Sequence, residues 1–170
     1  NDLPVIKIAE LRNGLTDRTD RAARSIPSKY VIDDGDVIFS WSGSLLQKQW
    51  ADSEGALNQH LFKVTSETHP KWFHYYWTDH HMRWFQSIAS SKATTMGHIQ
   101  RKHLSEATVN CPPIGLIETC DSTISHLLEK QLQNAVESKT LAQLRDTLLP
   151  KLMSGEIRVK DAEQEVEAIA

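Results

Sequence analysis

The sequence predicts an α+β fold: a mixed α/β globule followed by a long C-terminal helix that pairs as a coiled coil. Three observations carry this expectation. Short β-rich runs bounded by turn signals fill the first part of the chain. A helical apolar pattern then starts at Pro70. After Pro112-Pro113 the apolar residues settle into a three-or-four-residue step that runs, with one polar break, to Leu152.

The bulk composition fits this division. At 170 residues and 39% hydrophobic, the chain has enough for one globular domain and an appendage. The expected parts are residues 1–112 for the globule, 113–155 for the helix and 156–170 for a tail. Within a net charge of −3, residues 1–110 carry 13 Lys+Arg against 12 Asp+Glu, and residues 111–170 carry 6 against 10. Seven of the eight histidines and all five tryptophans lie in the first part, so the halves are expected to do different jobs. Phosphate contacts need local positive charge rather than a basic chain, so the overall sign excludes no polyanionic partner. No apolar run is long enough to span a membrane, and no signal-peptide pattern precedes the fold. Asn1 in place of Met points to a piece processed or cut from something longer. Cys111 and Cys120 lack a Cys-x-x-Cys spacing and read as two reduced thiols of a cytoplasmic protein.

Taken in order, Val5-Ile6-Lys7-Ile8 reads as a short strand running to Leu11 and a turn at Asn13-Gly14. Residues 15–29 carry Arg18, Arg21, Arg24 and Lys29 against Asp17 and Asp20, without apolar periodicity. They read as a loop that is either a solvated surface or a phosphate-tracking arm. Tyr30-Val31-Ile32 and Val37–Trp41 read as strands flanking the turn Asp33-Asp34-Gly35-Asp36. Ser42-Gly43-Ser44 supplies small residues that let backbone N–H groups approach an anion or a groove, and Gln47 and Lys48 follow as donors. Asn58–Val64 reads as another strand.

Pro70–Ala89 reads as a helix whose Phe73, Trp77, His81, Trp84, Phe85 and Ile88 form a core-facing stripe rather than a stacking platform. From His80 to Ser105 there is no acidic residue, while Arg83, Lys92, Arg101 and Lys102 supply positive charge. Ser90–Thr95 reads as a polar loop entering a helix over Met96–Leu104. Thr94 or Thr95 would cap that helix, as an ordinary surface helix or as one meeting a phosphate. Thr108–Cys111 reads as a last strand before the prolines.

Beyond the prolines, Ile117, Ile124, Leu128 and Leu132 begin an apolar seam, Glu137-Ser138-Lys139-Thr140 interrupts it, and Leu141, Leu144 and Leu148 resume it. A helix of about 30 to 40 residues is about 45–60 Å long, more than a small globule covers. A second helix is therefore expected along it. Pro150 is expected to kink or end the rod near Leu149, and Gly155 to take the left-handed conformation that closes helices. Asp161–Ala170 reads as an acidic, peripheral, helical piece.

The block Leu144-Arg145-Asp146-Thr147-Leu148-Leu149-Pro150-Lys151-Leu152-Met153-Ser154-Gly155-Glu156-Ile157 closely resembles the end of the spacer helix in DNA-specificity subunits of type I restriction-modification systems. Gly35-Asp36-Val37-Ile38, Ser40–Ser44, Asn58–Val64, Thr94–Ile99 and Pro112-Pro113-Ile114 also resemble that family's pattern of one target-recognition domain followed by one spacer helix. Members usually hold two such units in tandem, so one unit resembles a half-subunit or a fragment. Gly115-Leu116-Ile117-Glu118 departs from the Glu-Gln pair usual after the prolines.

The resemblance implies a non-catalytic subunit that reads one half of a bipartite DNA site, with the helix as a ruler. It implies double-stranded DNA and the methyltransferase and restriction subunits as partners, and a homodimer if the chain is isolated. Methylation and ATP-driven cleavage, with S-adenosylmethionine, ATP and Mg, would belong to those partner subunits. The expected DNA-binding residues are Arg18, Arg21, Arg24, Ser42, Ser44, Gln47, Lys48, Lys92, Thr94, Thr95, His98, Arg101 and Lys102. Cations would position the duplex on phosphates, and Gln47, Thr94, Thr95 and His98 would read base edges.

Two other readings stand beside it. A metal-dependent enzyme would rest on His74, His80, His81, His98 and His103, but no H-E-x-x-H occurs, His80 and His81 point to different helix faces, and His98 and His103 are five apart. A coiled-coil adaptor that binds no DNA would rest on the helix alone. Asn110-Cys111-Pro112-Pro113 only echoes a methyltransferase motif, the glycines form no G-x-G-x-x-G or Walker loop, and Glu137-Ser138-Lys139 is a nuclease-like Glu-x-Lys without a positioned aspartate.

Overall fold

A computed structural model describes residues 2–91 and 97–167, apart from the side chains of Glu165 and Glu167. The expectations for Lys92, Thr94 and Thr95 lie outside the described residues. The fold is α+β, with two small sheets and a long C-terminal helix.

Strand β1 (Leu3–Ile6) stops sooner than its apolar run suggests, because Ile8 opens a helical turn, α1 (Ile8–Asn13). The Glu10 carboxylate accepts the Lys7 backbone N–H at 3.1 Å, satisfying a donor the first turn leaves open. β1 is central to a four-stranded sheet of order β2 (Arg21–Ala22), β1, β6 (Gly55–Leu57), β3 (Val31–Ile32). The β1–β6 pair is parallel and the two outer pairs are antiparallel. A 3₁₀ turn at Ser28–Tyr30 leads into β3.

The second sheet is antiparallel, in the order β5 (Gln47–Gln49), β4 (Val37–Ser40), β7 (Leu61–Val64). Gln47 and Lys48, expected in a loop, thus lie on a strand: Lys48 pairs with Ile38, and pairing overrides the weak β preference of Gln-Lys-Gln. The strand expected from Asn58 begins only at Leu61, whose N–H closes a turn onto the Asn58 carbonyl at 3.0 Å. All four residues of β4 are buried. Adjacent side chains on a strand point to opposite faces, so Ile38 joins Ile6, Leu11, Ile32, Trp50 and Leu61. Phe39 joins Leu45, Met82, Phe85, Ala89 and Ile99 on the other side. Each leucine, isoleucine, methionine or phenylalanine among them contributes about 1.5–3 kcal/mol when fully buried.

Helix α2 (Lys71–Ser91) buries Phe73, Met82, Phe85 and Ala89. Trp84, expected in the core stripe, is instead exposed at the surface. Thr108–Cys111 is not a strand; the Thr108 carbonyl accepts a hydrogen bond from His81 Nε2 at 2.9 Å, outside any ladder. The short helix before it is α3 (Arg101–Glu106), which starts later than expected.

The chain divides into two compact units, Asn1–Leu132 and Gln133–Ala170. Helix α4 (Ile114–Ser154) begins in the first and ends in the second. In the first unit, Ile117, Leu128 and Leu132 are buried within the chain itself, and Trp72 Nε1 donates to Asp121 at 2.8 Å. The turn before β4 is held the same way. Gly35 has φ +87°, Lys71 Nζ donates to its carbonyl at 2.8 Å, and a Cβ there would lie 3.1 Å from Leu132. The globule therefore covers more of the seam than its length predicts.

In the second unit, α4 passes through Pro150 and ends at Ser154, so of the expected kink or end near Leu149 the end does not occur there. Proline at this point removes one bond, to the carbonyl of Asp146, and both residues are exposed so water satisfies it. Gly155, at φ +74°, ends the helix as expected, and the Glu156 N–H bonds the Lys151 carbonyl at 3.0 Å. Helix α5 (Val159–Glu167) follows and buries Ala162.

Candidate functional site

The segment after β4 and the segment before α3 form one structure. Ser42 pairs with His98 in an isolated antiparallel bridge. The Gly43 N–H donates to the Gly97 carbonyl at 2.8 Å, and the Ile99 N–H to the Trp41 carbonyl at 3.0 Å. Ile99 is buried beside Phe39 and Phe85, which anchors the strip to the core. Gly97 is required there: an added Cβ would lie 2.6 Å from the Ala89 carbonyl oxygen.

Side chains brace the bridge from below. Ser42 is buried, and its hydroxyl lies 2.8 Å from His60 Nδ1. The Ser40 hydroxyl donates to the Ser42 carbonyl at 3.0 Å. Trp41 stands between His60 and His98, with ring centroids at 5.6 and 6.4 Å, and its indole N–H donates to the Gln59 carbonyl.

Two clefts meet at the bridge. One, of about 420 Å³, is lined by Trp41, His98, Gln100, Arg101 and Leu104 among others. The other, of about 400 Å³, is lined by Arg12, Gly43, Ser44, Gln86, Ser90 and Gly97 among others. His98, Arg101 and Lys102 are exposed, and neither cation has an ion pair among the described residues. The backbone N–H of Gln100 bonds His103 Nδ1 at 3.0 Å, which fixes the start of α3 and hence the position of Arg101.

The structure thus brings together Ser42, Ser44, His98 and Arg101, with Lys102 beside them on α3. It places Gln47 apart from this surface: its amide donates to the Tyr75 carbonyl at 2.8 Å, against α2. Lys48 is half-buried on β5. Arg21 and Arg24 belong to the region of the first sheet. Arg21 donates to the Asp2 carbonyl and Arg24 pairs with Glu54 at 2.5 Å, while Arg18 is exposed on the preceding loop. Arg12 was not legible as a site residue, because one turn of helix gives no periodicity and its cleft partners are distant in sequence.

The histidines have structural surroundings. His103 and His81 hold backbone groups, and His60 holds Ser42. Both ring nitrogens of His74 are buried without a described partner, and burial, with Lys71 and His69 nearby, pushes its pKa below the usual histidine range. Among the described residues, no group of three or more His, Cys, Asp or Glu is placed to hold a metal ion. Among the described helices, none is long and apolar enough to cross a membrane.

On the helical seam, Ile117, Leu128 and Leu132 are covered in the first unit and Ile124 is half-buried. In the second, Leu148 is buried and Leu144 half-buried, whereas Leu141 is 56% exposed. Leu141, Leu144, Leu148 and Leu152 of α4 and Val159 and Val166 of α5 line an open apolar groove of about 590 Å³.

Comparison with known proteins gives matches over most of the chain. Residues 1–145 match the family described as type I restriction modification DNA specificity domain. The chain is similar to the type I restriction enzyme HindI specificity subunit of Haemophilus influenzae, 22% identical over 165 residues, covering 92% of this chain and 36% of that protein. It is also similar to the type I restriction enzyme MjaIX specificity subunit of Methanocaldococcus jannaschii, 31% identical over 74 residues, covering 44% of this chain and 17% of that protein. The chain therefore spans well under half the length of either relative.

Proposed function

This chain belongs to the type I restriction modification DNA specificity domain family, and from that premise we propose that it reads one half of a bipartite DNA site for a restriction-modification complex. The observation that carries this reading is the Ser42–His98 bridge, which fuses two polar segments into one surface with Arg101 and Lys102 exposed next to it. The stretch from His80 to Ser105 contains no acidic residue to repel a phosphate backbone. Arg101 and Lys102 position the duplex, and His98, Ser42 and Ser44 lie where side chains or backbone reach a groove edge.

The two relatives are named as specificity subunits of restriction enzymes. By that likeness the chain is the non-catalytic reader, cytoplasmic, and α4 is the spacer that docks methyltransferase and restriction subunits. S-adenosylmethionine, ATP and Mg serve those subunits. The Ser42–His60 pair supports no hydrolytic site, since Ser42 is buried and no carboxylate is bonded to His60 among the described residues. In isolation, the exposed leucines of the second unit close on a second copy, with antiparallel spacers.

The test is selection of bound duplexes from a randomised pool at low salt, with the methyltransferase subunit supplied. A short half-site consensus is expected. Absence of any duplex binding under those conditions overturns the reading and favours an adaptor that works through its helix alone.

A further inference from the structure

We propose that the cleft lined by Arg12, Ser44, Ser90 and Gly97 is a subsite for a backbone phosphodiester of duplex DNA, on the other flank of the bridge from Arg101. This rests on the DNA-reading function proposed above and adds a contact that the sequence did not reveal.

Among the described residues lining the cleft, Arg12 is the cation and none is a carboxylate. Four other cations are engaged in ion pairs: Lys7 with Asp20, Arg24 with Glu54, Lys63 with Asp36 and Arg145 with Asp146. Arg12 is exposed and has no ion pair or hydrogen bond among the described residues, so its planar set of donors is available. Ser44 is half-buried and lines the same cleft, and its hydroxyl has no partner among the described residues either.

The remaining walls suit an anion. Gln86 Nε2 donates to the Leu45 carbonyl at 3.0 Å, which occupies a lone pair that would otherwise repel a phosphate. The Ser90 hydroxyl is tethered to the carbonyls of Gln86 and Ser87. Gly97 packs directly on Ala89, so the floor is backbone on a rigid helix. Gly43 and Gly97 belong both to this cleft and to the junction at the bridge, while Trp41, His98 and Arg101 line the adjoining cleft. A duplex seated on the bridge therefore meets one arginine on each flank.

The experiment measures duplex affinity of the full chain as a function of salt. Arg12→Gln is expected to weaken binding and to lower the slope of log affinity against log salt by about 0.9, the value for one phosphate contact. Arg12→Lys restores the slope. Ser44→Ala weakens binding without changing it. Arg145→Gln, whose cation is spent on Asp146, keeps the wild-type slope. A wild-type slope in Arg12→Gln overturns this subsite and leaves the parent reading standing, as does an equal loss of slope in Arg145→Gln. A wild-type chain that binds no duplex even with the methyltransferase subunit supplied overturns both. Arg12 is exposed, and an unchanged thermal midpoint in Arg12→Gln confirms that any loss is of contact, not of fold.

Discussion

The hydroxyl of Ser42 lies 2.8 Å from His60 Nδ1, and the Ser42 backbone pairs with His98, so one residue ties the second sheet to the strip before α3. Ser42 is nearly solvent-free, and loss of its hydroxyl leaves a half-buried ring nitrogen without that partner. Ser42→Ala is expected to lower stability by about 1–2 kcal/mol. Urea unfolding is the check: the midpoint falls and the denaturant slope stays constant.

Arg101 and Lys102 are exposed cations without ion pairs among the described residues, so their removal tests positioning apart from folding. The double substitution Arg101→Ala, Lys102→Ala is expected to weaken binding to all duplexes alike and to reduce the salt slope by about 1–2. Fluorescence anisotropy across a salt series measures this, and an unchanged slope contradicts the role.

His74 has its pKa lowered mainly by burial, so its neutral form belongs to the folded chain. Below the usual histidine pKa, near 6.5, the unfolded chain takes up a proton that the folded chain resists. The stability His74 confers is therefore complete above that pH and declines as pH falls toward the lowered folded value. His74→Phe is expected to reduce this acid sensitivity. Unfolding midpoints at neutral and mildly acidic pH, for both proteins, measure the difference, and equal acid losses refute it.

Leu141 and Leu149 are 56% and 51% exposed in the second unit. In the proposed homodimer these side chains are covered, and a charge at each opposes association at little expense to the single chain. Leu141→Lys with Leu149→Lys is expected to sediment as a monomer where the parent chain is a dimer. A monomeric parent chain at tens of micromolar removes the basis for self-association.

The long helix was readable because its apolar step and its closing glycine act through local geometry alone. The turn at Asp33–Asp36 and β4 were readable for the same reason: β-branched residues beside a turn signal. Strands β5 and β6 were not, since Gln47-Lys48-Gln49 and Gly55-Ala56-Leu57 become strands by pairing with β4 and with β1 and β3, from far along the chain. Pro150 does not end the helix because a missing N–H weighs little on an exposed helix face close to its end. At the site, charge statistics drew notice to Arg101 and Lys102. They missed Arg12, whose meaning depends on where Gly43, Gln86 and Gly97 converge. The coverage of Ile117, Leu128 and Leu132 by the globule likewise required the fold, as the seam carries the same apolar residue types on both sides of its polar break at 137–140.

Phe62 and Leu104 line the cleft that holds Arg101 and also a separate apolar cavity of about 420 Å³ formed with Phe73, Trp77, His81 and Val109. They are a common partition between two rooms that both open to solvent, the cavity having the more apolar lining. Enlarging or filling the apolar room is expected to shift that partition, and with it the perch of the Arg101 guanidinium that lines the adjoining cleft. Under the DNA-reading function proposed above, target preference is therefore expected to respond from behind, to substitutions at Phe73, Trp77 or Val109 that never meet a nucleotide.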